Sequence, residues 1–203
     1  MFQNLQLEAI HLDCWGLLEQ AVTDRDCGWR LPALATLAPA GVRQRTVVLR
    51  AVDSVRRQVF LHTDVRSAKI GQIRENPRVS LLFYDHTRSV QLMLQGKASI
   101  HTNDETADIL WQHSPPEALR GYLGPLPPGM PVDEFCVNLP SFVQGRIPER
   151  AEVESGRPHF AVVSVTVEQS EWLRVSRSGN CRAVFRYFCE SGEVRFTAEW
   201  LVP

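Results

Sequence analysis

Arg45-Thr-Val-Val-Leu-Arg50, then Val59-Phe-Leu-His-Thr63 and Asp64-Val-Arg-Ser-Ala-Lys69, then Val79-Ser-Leu-Leu-Phe-Tyr84 and Ser89-Val-Gln-Leu-Met-Leu-Gln-Gly96: this stretch decides the fold. Its β-branched and apolar runs read as strands. Between the second and third runs lies a short helical pattern, with Ile70 and Ile73 at helical spacing and a stop at Asn76-Pro77. Ser67 is placed to cap that helix, so unpaired backbone N–H groups should face outward near residues 67 to 70. A helix N-terminus attracts anions, and Arg66, Ser67 and Lys69 surround this one, so a phosphate would sit well there. A solvated basic surface gives the same local pattern, and the helix alone does not choose between the two.

Alternation along the Arg45 strand puts Arg45 and Arg50 on opposite faces, because their separation is odd. Gln91 interrupts an apolar strand between Val90 and Leu92. Buried, its amide needs partners, and on the solvent face it needs none.

Before this stretch, Leu5, Ala9, Leu12, Trp15 and Leu18 give residues 4 to 22 an amphipathic helical pattern. Leu31 to Leu37 reads as a strand, joined through Pro39-Ala-Gly41 to the Arg45 strand as a hairpin. After it, Asp104 to His113 reads as a helix with Ile109, Leu110 and Trp111 toward the core. From Ser114 to Pro148 lie eight of the 13 prolines, which argues against regular helix or central sheet. The expectation is an irregular arm or lid anchored by Phe135, Val137, Leu139 and Phe142. Strands return at His159–Val167, Cys181–Phe188 and Glu193–Trp200, the last two joined by a turn at Gly192.

The chain has 203 residues, 44% hydrophobic and 22% charged, with net charge −1, enough for one domain spanning residues 1–203. That charge gives no global argument for nucleic acid or an anionic membrane. The five cysteines show no Cys-x-x-Cys spacing and read as reduced thiols of a cytoplasmic protein. No apolar run approaches the length needed to span a bilayer. There is no Gly-x-Gly-x-x-Gly after a strand, no His-Glu-x-x-His and no metal-ligand cluster.

Arg45-Thr-Val-Val-Leu-Arg50, Thr63 with Ser67 and Lys69, Asn76-Pro-Arg-Val-Ser-Leu-Leu-Phe83, Gln91 and Gly96 together resemble the core of the pyridoxamine 5'-phosphate oxidase family. The resemblance implies a mainly β protein with flanking helices (α+β), an FMN-binding split β-barrel that shares its cofactor across a homodimer. It assigns Arg45, Thr46, Val47, Val48, His62, Thr63, Ser67, Lys69 and Gln91 to FMN. Where the family has Ser-Arg-Lys this chain has Ser67-Ala68-Lys69, and Arg66 is the expected substitute for the missing guanidinium. Trp172 and Arg182 match in spacing two further FMN contacts, although Trp172 could equally be a core or interface anchor.

Arg50 stands where the family has a lysine near the substrate phosphate, and Arg120 and Tyr122 are further substrate candidates. Ser178-Gly-Asn180 replaces the family's substrate-holding Arg-Leu-His, so FMN binding survives the comparison better than pyridoxamine phosphate oxidation does. The reading is an FMN-dependent oxidoreductase in which hydride passes from a small substrate to the flavin, with no protein residue assigned as a general base. A flavin or haem carrier on the same barrel is the alternative.

Overall fold

The computed structural model describes residues 2–203. Helix α1 (Phe2–Thr23) leads to a hairpin of β1 (Ala33–Ala38) and β2 (Gly41–Thr46), then to β3 (Leu49–Asp53) and β4 (Gln58–Asp64). Helix α2 (Ala68–Glu75), β5 (Arg78–Asp85), β6 (Val90–His101) and α3 (Glu105–His113) follow. Two single-turn helices, α4 (Pro116–Leu119) and α5 (Arg150–Val153), flank the arm, and β7 (Phe160–Arg174), β8 (Cys181–Glu190) and β9 (Glu193–Leu201) complete the chain.

All strand pairs are antiparallel, and β7 is the axis of the sheet. On one side it pairs with β6 along most of its length. On the other, its first half pairs with β4 and its second half with β8, so the sheet divides there and does not close on itself. The division falls at a bulge: Gln95 faces Gln169 and Gly96 faces Val167, leaving Glu168 without a partner. A Cβ on Gly96 would lie 2.0 Å from the Thr166 carbonyl oxygen, so only glycine lets the two backbones approach this closely.

Both faces of the first half of β7 are buried, and alternation sorts its side chains. Ala161, Val163 and Val165 join the main core under α1 and α2, with Leu34, Leu61 and Phe83. Phe160 and Val162 join a second core built by Trp111, Leu119, Leu123, Val143 and Val153. A fully buried Phe or Val side chain contributes about 1.5–3 kcal/mol, so the second core holds α3 and the arm against the sheet.

Five expectations need correction. The buried stripe of α1 is Leu7, His11, Cys14, Trp15, Leu18 and Ala21, while Ala9 and Leu12 face solvent; Leu5 lies outside the residues whose side chains are described. A histidine and a cysteine complete that stripe, which hid its phase. The run Arg45 to Arg50 is two strands: Val47 N–H donates to the Pro32 carbonyl and Leu49 N–H to that of Arg30 as the chain turns from β1 toward β4. On α3, Ile109 is exposed while Trp111 is buried, because consecutive helical residues diverge by about 100°.

In the arm, Phe135 is 93% exposed and Val137 and Phe142 are exposed, with Leu139 only partly buried. Its anchors are instead Leu119, Leu123, Val143 and Val153. The prolines also do not exclude helix, since Pro116 opens α4, where a missing N–H removes no bond. Polar ties hold the exposed part: Asn138 exchanges two side-chain bonds with the Leu126 backbone, each 3.0 Å.

Candidate functional site

Thr63 is the penultimate residue of β4, on its buried face, and after Asp64 the chain turns into α2. Ser67 occupies the N-cap with extended backbone, but its hydroxyl makes no capping bond. It accepts instead from Lys69 Nζ at 2.6 Å, and Lys69 also donates to Thr63 Oγ1 at 2.7 Å. One turn further along α2, Gln72 accepts from Arg45 at 3.0 Å, and Arg45 donates to Thr36 Oγ1 at 2.6 Å. Positions 69 and 72 share a helix face, so α2 presents Lys69 and Gln72 to the same edge of the sheet.

The electrostatics of this cluster are unbalanced. Burial lowers the Lys69 pKa, and neighbouring Arg45 lowers it further, against an opposing pull from Asp64. Burial and Arg43 lower that of Arg45. Among the described residues neither cation forms a salt bridge; every side-chain partner of the two is a hydroxyl, an amide oxygen or a backbone carbonyl. Two desolvated cations beside unfilled helix N–H groups form a cradle for an anion.

Arg66 lies elsewhere. Its guanidinium donates to Asp64 at 3.0 and 2.7 Å and to the carbonyls of Gly124 and Pro125. Asp64 is nearly buried and also accepts from the Arg66 backbone N–H. This residue staples the arm to the end of β4, so the guanidinium absent at Ala68 is not replaced from position 66.

A second group gathers on the opposite face of β4. Arg50, on the irregular segment between Leu49 and Ala51, lies near His62 and Tyr122. Arg50 makes no side-chain hydrogen bond or salt bridge among the described residues. Burial, reinforced by Arg50, pushes the His62 pKa down to about 3, leaving a neutral ring with both nitrogens buried and unpartnered. Burial raises the Tyr122 pKa, and its ring packs edge-on against Phe160. Arg120 donates to the Arg146 carbonyl and belongs to the arm's own bonding.

The remaining candidates lie on other surfaces. Gln91 is half-buried on the outward face of the sheet, in a cross-strand row with Tyr84, Leu173 and Arg182. Arg182 is held by Glu171 at 2.7 and 3.0 Å. Trp172 points the other way, into the main core. Thr46 is exposed, Val47 packs partly against the main core and Val48 is half-buried. The loop carrying Ser178 and Asn180 is tied to itself through Ser176. Gln72 and Thr36, which hold Arg45, were missed; the spacing of Gln72 from Lys69 was the available signal.

Residues 15–102 match the family model described as pyridoxamine 5'-phosphate oxidase, FMN-binding domain. Over that stretch the chain is similar to the FMN-binding domain of the pyridoxamine 5'-phosphate oxidase family. The chain is 46% identical over 55 residues to a pyridoxine/pyridoxamine 5'-phosphate oxidase of Escherichia fergusonii, covering 27% of this chain and 24% of that one. It is 40% identical over 73 residues to the enzyme of the same name from Kineococcus radiotolerans, covering 36% and 32%. The chain thus matches about a third or less of the length of these relatives.

Two solved structures share the fold over nearly the whole chain. One is a pyridoxamine 5'-phosphate oxidase-related, FMN-binding protein from Nostoc punctiforme, with TM-score 0.67, 20% identity and 95% of each chain covered. The other is PhzG from Burkholderia lata in complex with tetrahydrophenazine-1-carboxylic acid, with TM-score 0.63, 18% identity and 97% and 92% covered. Among the described residues no group of His, Cys, Asp and Glu could hold a metal ion, and no helix is long and apolar enough to cross a membrane.

Proposed function

We propose that this chain is an FMN-dependent oxidoreductase and that Arg45, Thr63, Ser67 and Lys69 hold the FMN phosphate at the start of α2. The observation that carries the reading is the pair of half-buried cations, Arg45 and Lys69, oriented by hydroxyls and amide oxygen with no carboxylate paired to either. Such a pair is costly to leave uncompensated, and a phosphate supplies both the charge and the acceptors. The donor set therefore fits the group that the family implies.

When bound, FMN supplies the hydride-accepting ring, and the protein's part is to bind it, orient it and exclude water. Gln91 serves the ring edge, with an amide able both to donate and to accept. Arg50 and Tyr122 receive an anionic group of the substrate, a carboxylate or a phosphate, and a guanidinium binds either with two parallel bonds. Ser178 and Asn180 bring no cation to the substrate, so its recognition differs from that of the named oxidases. The outward sheet face, with Leu82 and Tyr84 exposed, is the surface for a second copy of the chain.

The experiment is a titration of the purified chain with FMN followed by flavin fluorescence, then anaerobic addition of candidate reductants with the flavin absorbance recorded. Tight binding that weakens on Lys69→Ala, followed by bleaching with a small anionic amine or reduced heterocycle, is the expected result. A folded chain that does not bind FMN would exclude the proposal.

A further inference from the structure

His101, at the end of β6, stands between two hydrogen-bonding partners. Its Nδ1 is 2.8 Å from Oδ2 of Asp104, and its Nε2 is 2.9 Å from Oγ of Ser164. A carboxylate only accepts, so the ring proton is on Nδ1, and Nε2 keeps the lone pair to which the serine hydroxyl donates.

Asp104 is fixed from behind, since its Oδ1 accepts from the Ala107 N–H as the N-cap of α3. Burial pushes this carboxyl up, but the Ala107 N–H, His101 and Arg157 carry it below the usual carboxylate range. The carboxylate is therefore ionised at neutral pH and accepts from His101 Nδ1.

Ser164 lies in the first half of β7, opposite Phe60 of β4 and Ser99 of β6, on the face that α3 covers. It is 4% exposed, and it borders a cavity of about 270 Å³ together with His101. Ala51, Phe60, Ile109 and Leu110 give this cavity an apolar wall, and Gln58 and Thr106 add side-chain donors. The cavity lies on the sheet face opposite the one that carries Thr63 and Lys69.

We propose that Asp104, His101 and Ser164 form an acyl-transfer site that hydrolyses small carboxylic esters with a short aliphatic acyl group, a second activity separate from the flavin site. Ser164 Oγ attacks the ester carbonyl carbon while its proton passes to His101 Nε2. The carbon–oxygen bond to the alcohol then breaks, and the departing alkoxide takes that proton. Water, deprotonated by His101, attacks the acyl-serine and releases the carboxylic acid, and the proton returns to Ser164. Asp104 keeps the imidazole in the reactive tautomer and stabilises its cation. Thr106 Oγ1 and the second N–H of the Gln58 amide, whose first donates to Thr166 Oγ1 at 3.1 Å, line the cavity as donors for the developing oxyanion, and its apolar wall takes the acyl group.

The test treats the full chain with a fluorophosphonate probe, locates the adduct by peptide mass spectrometry, and follows p-nitrophenyl acetate cleavage in parallel. The expected adduct is on Ser164, at a rate that falls about 100-fold or more in His101→Gln, in line with loss of a general base. Asp104→Asn gives a comparable fall while preserving the helix cap, because asparagine caps as well as aspartate does. Circular dichroism confirms that each variant is folded; if His101→Gln is not, Asp104→Asn decides. Ser99→Ala, on the neighbouring strand, leaves labelling unchanged. Absence of an adduct on Ser164, or an adduct formed as fast in the folded variants, overturns the proposal. Neither outcome depends on FMN.

Discussion

Arg45 and Lys69 on one side, and Arg66 and Arg182 on the other, are all basic residues that the family resemblance points toward a cofactor, and the structure treats them differently. Arg66 and Arg182 each have a carboxylate, Asp64 and Glu171, at hydrogen-bonding distance. Arg45 and Lys69 have none, although both are partly withdrawn from water. A cation neutralised inside the fold has its charge satisfied there, and a partly desolvated cation without a counter-charge is free to take an anion from outside. Arg66 thus belongs to the architecture of the arm, and Lys69 is the residue that the proposed function gives to the phosphate.

The sharpest way to break this contrast is through Asp64. Asp64→Asn removes the counter-charge of a pair whose side chains are only 8% and 20% exposed, and releases the arm at Gly124 and Pro125. We expect a loss of about 3 kcal/mol in unfolding free energy, measured by denaturant titration. A change under about 1 kcal/mol would mean that the arm is held by its apolar anchors alone.

The reciprocal substitution acts on the ligand instead. Lys69→Ala should weaken FMN binding by roughly 100-fold, about 2.7 kcal/mol, and leave the melting temperature of the unliganded chain unchanged or raised. Arg66→Ala should weaken FMN binding by no more than about threefold. Equal losses of affinity in the two variants would dissolve the distinction.

Acid sharpens the comparison through the buried histidines. His62 is pushed down to about 3 by burial and by Arg50, and His11, packed against Phe196 and Phe185, is pushed down to about 4 by burial and Arg57. Both folded pKa values lie below the unfolded value of 6.5. Their contribution to stability is therefore complete above that pH and declines as pH falls toward the folded values. Between about pH 6.5 and 5 each should cost about 2 kcal/mol. Unfolding measured across that window should show a slope that His11→Phe reduces by about half. A stability flat to pH 5 would show that neither ring is buried neutral.

The smallest effect is expected at the arm's surface. Phe135→Ser, at a position 93% exposed, should change stability by less than about 0.5 kcal/mol in the isolated chain. A larger loss would place this side chain in an interface that the single chain does not show.

How much could be read from the sequence follows from the range of the interactions involved. The strands flanking α2, the N-cap at Ser67 and the stop at Asn76-Pro77 are local signals, and the structure has each of them. The convergence of Thr63, Ser67 and Lys69 was legible for the same reason, since all three lie within one turn of chain. The arm was legible only as proline-rich, because its order comes from Arg66 and Asn138 reaching distant carbonyls. His101 and Ser164 gave no sequence signal at all, being 63 positions apart and joined only by the pairing of β6 with β7.

By itself the sequence determined the strands on either side of α2, the place of α2 itself, and the helix end that gathers cations. Only the tertiary structure decided which cations remain free and which way Trp172 and Arg182 face. Spacing along a hairpin does not fix a face, because the face depends on register. Leu173 pairs with Arg182 and Trp172 with Ala183, so the tryptophan enters the core while the arginine turns outward to Glu171, its diagonal neighbour across the strands.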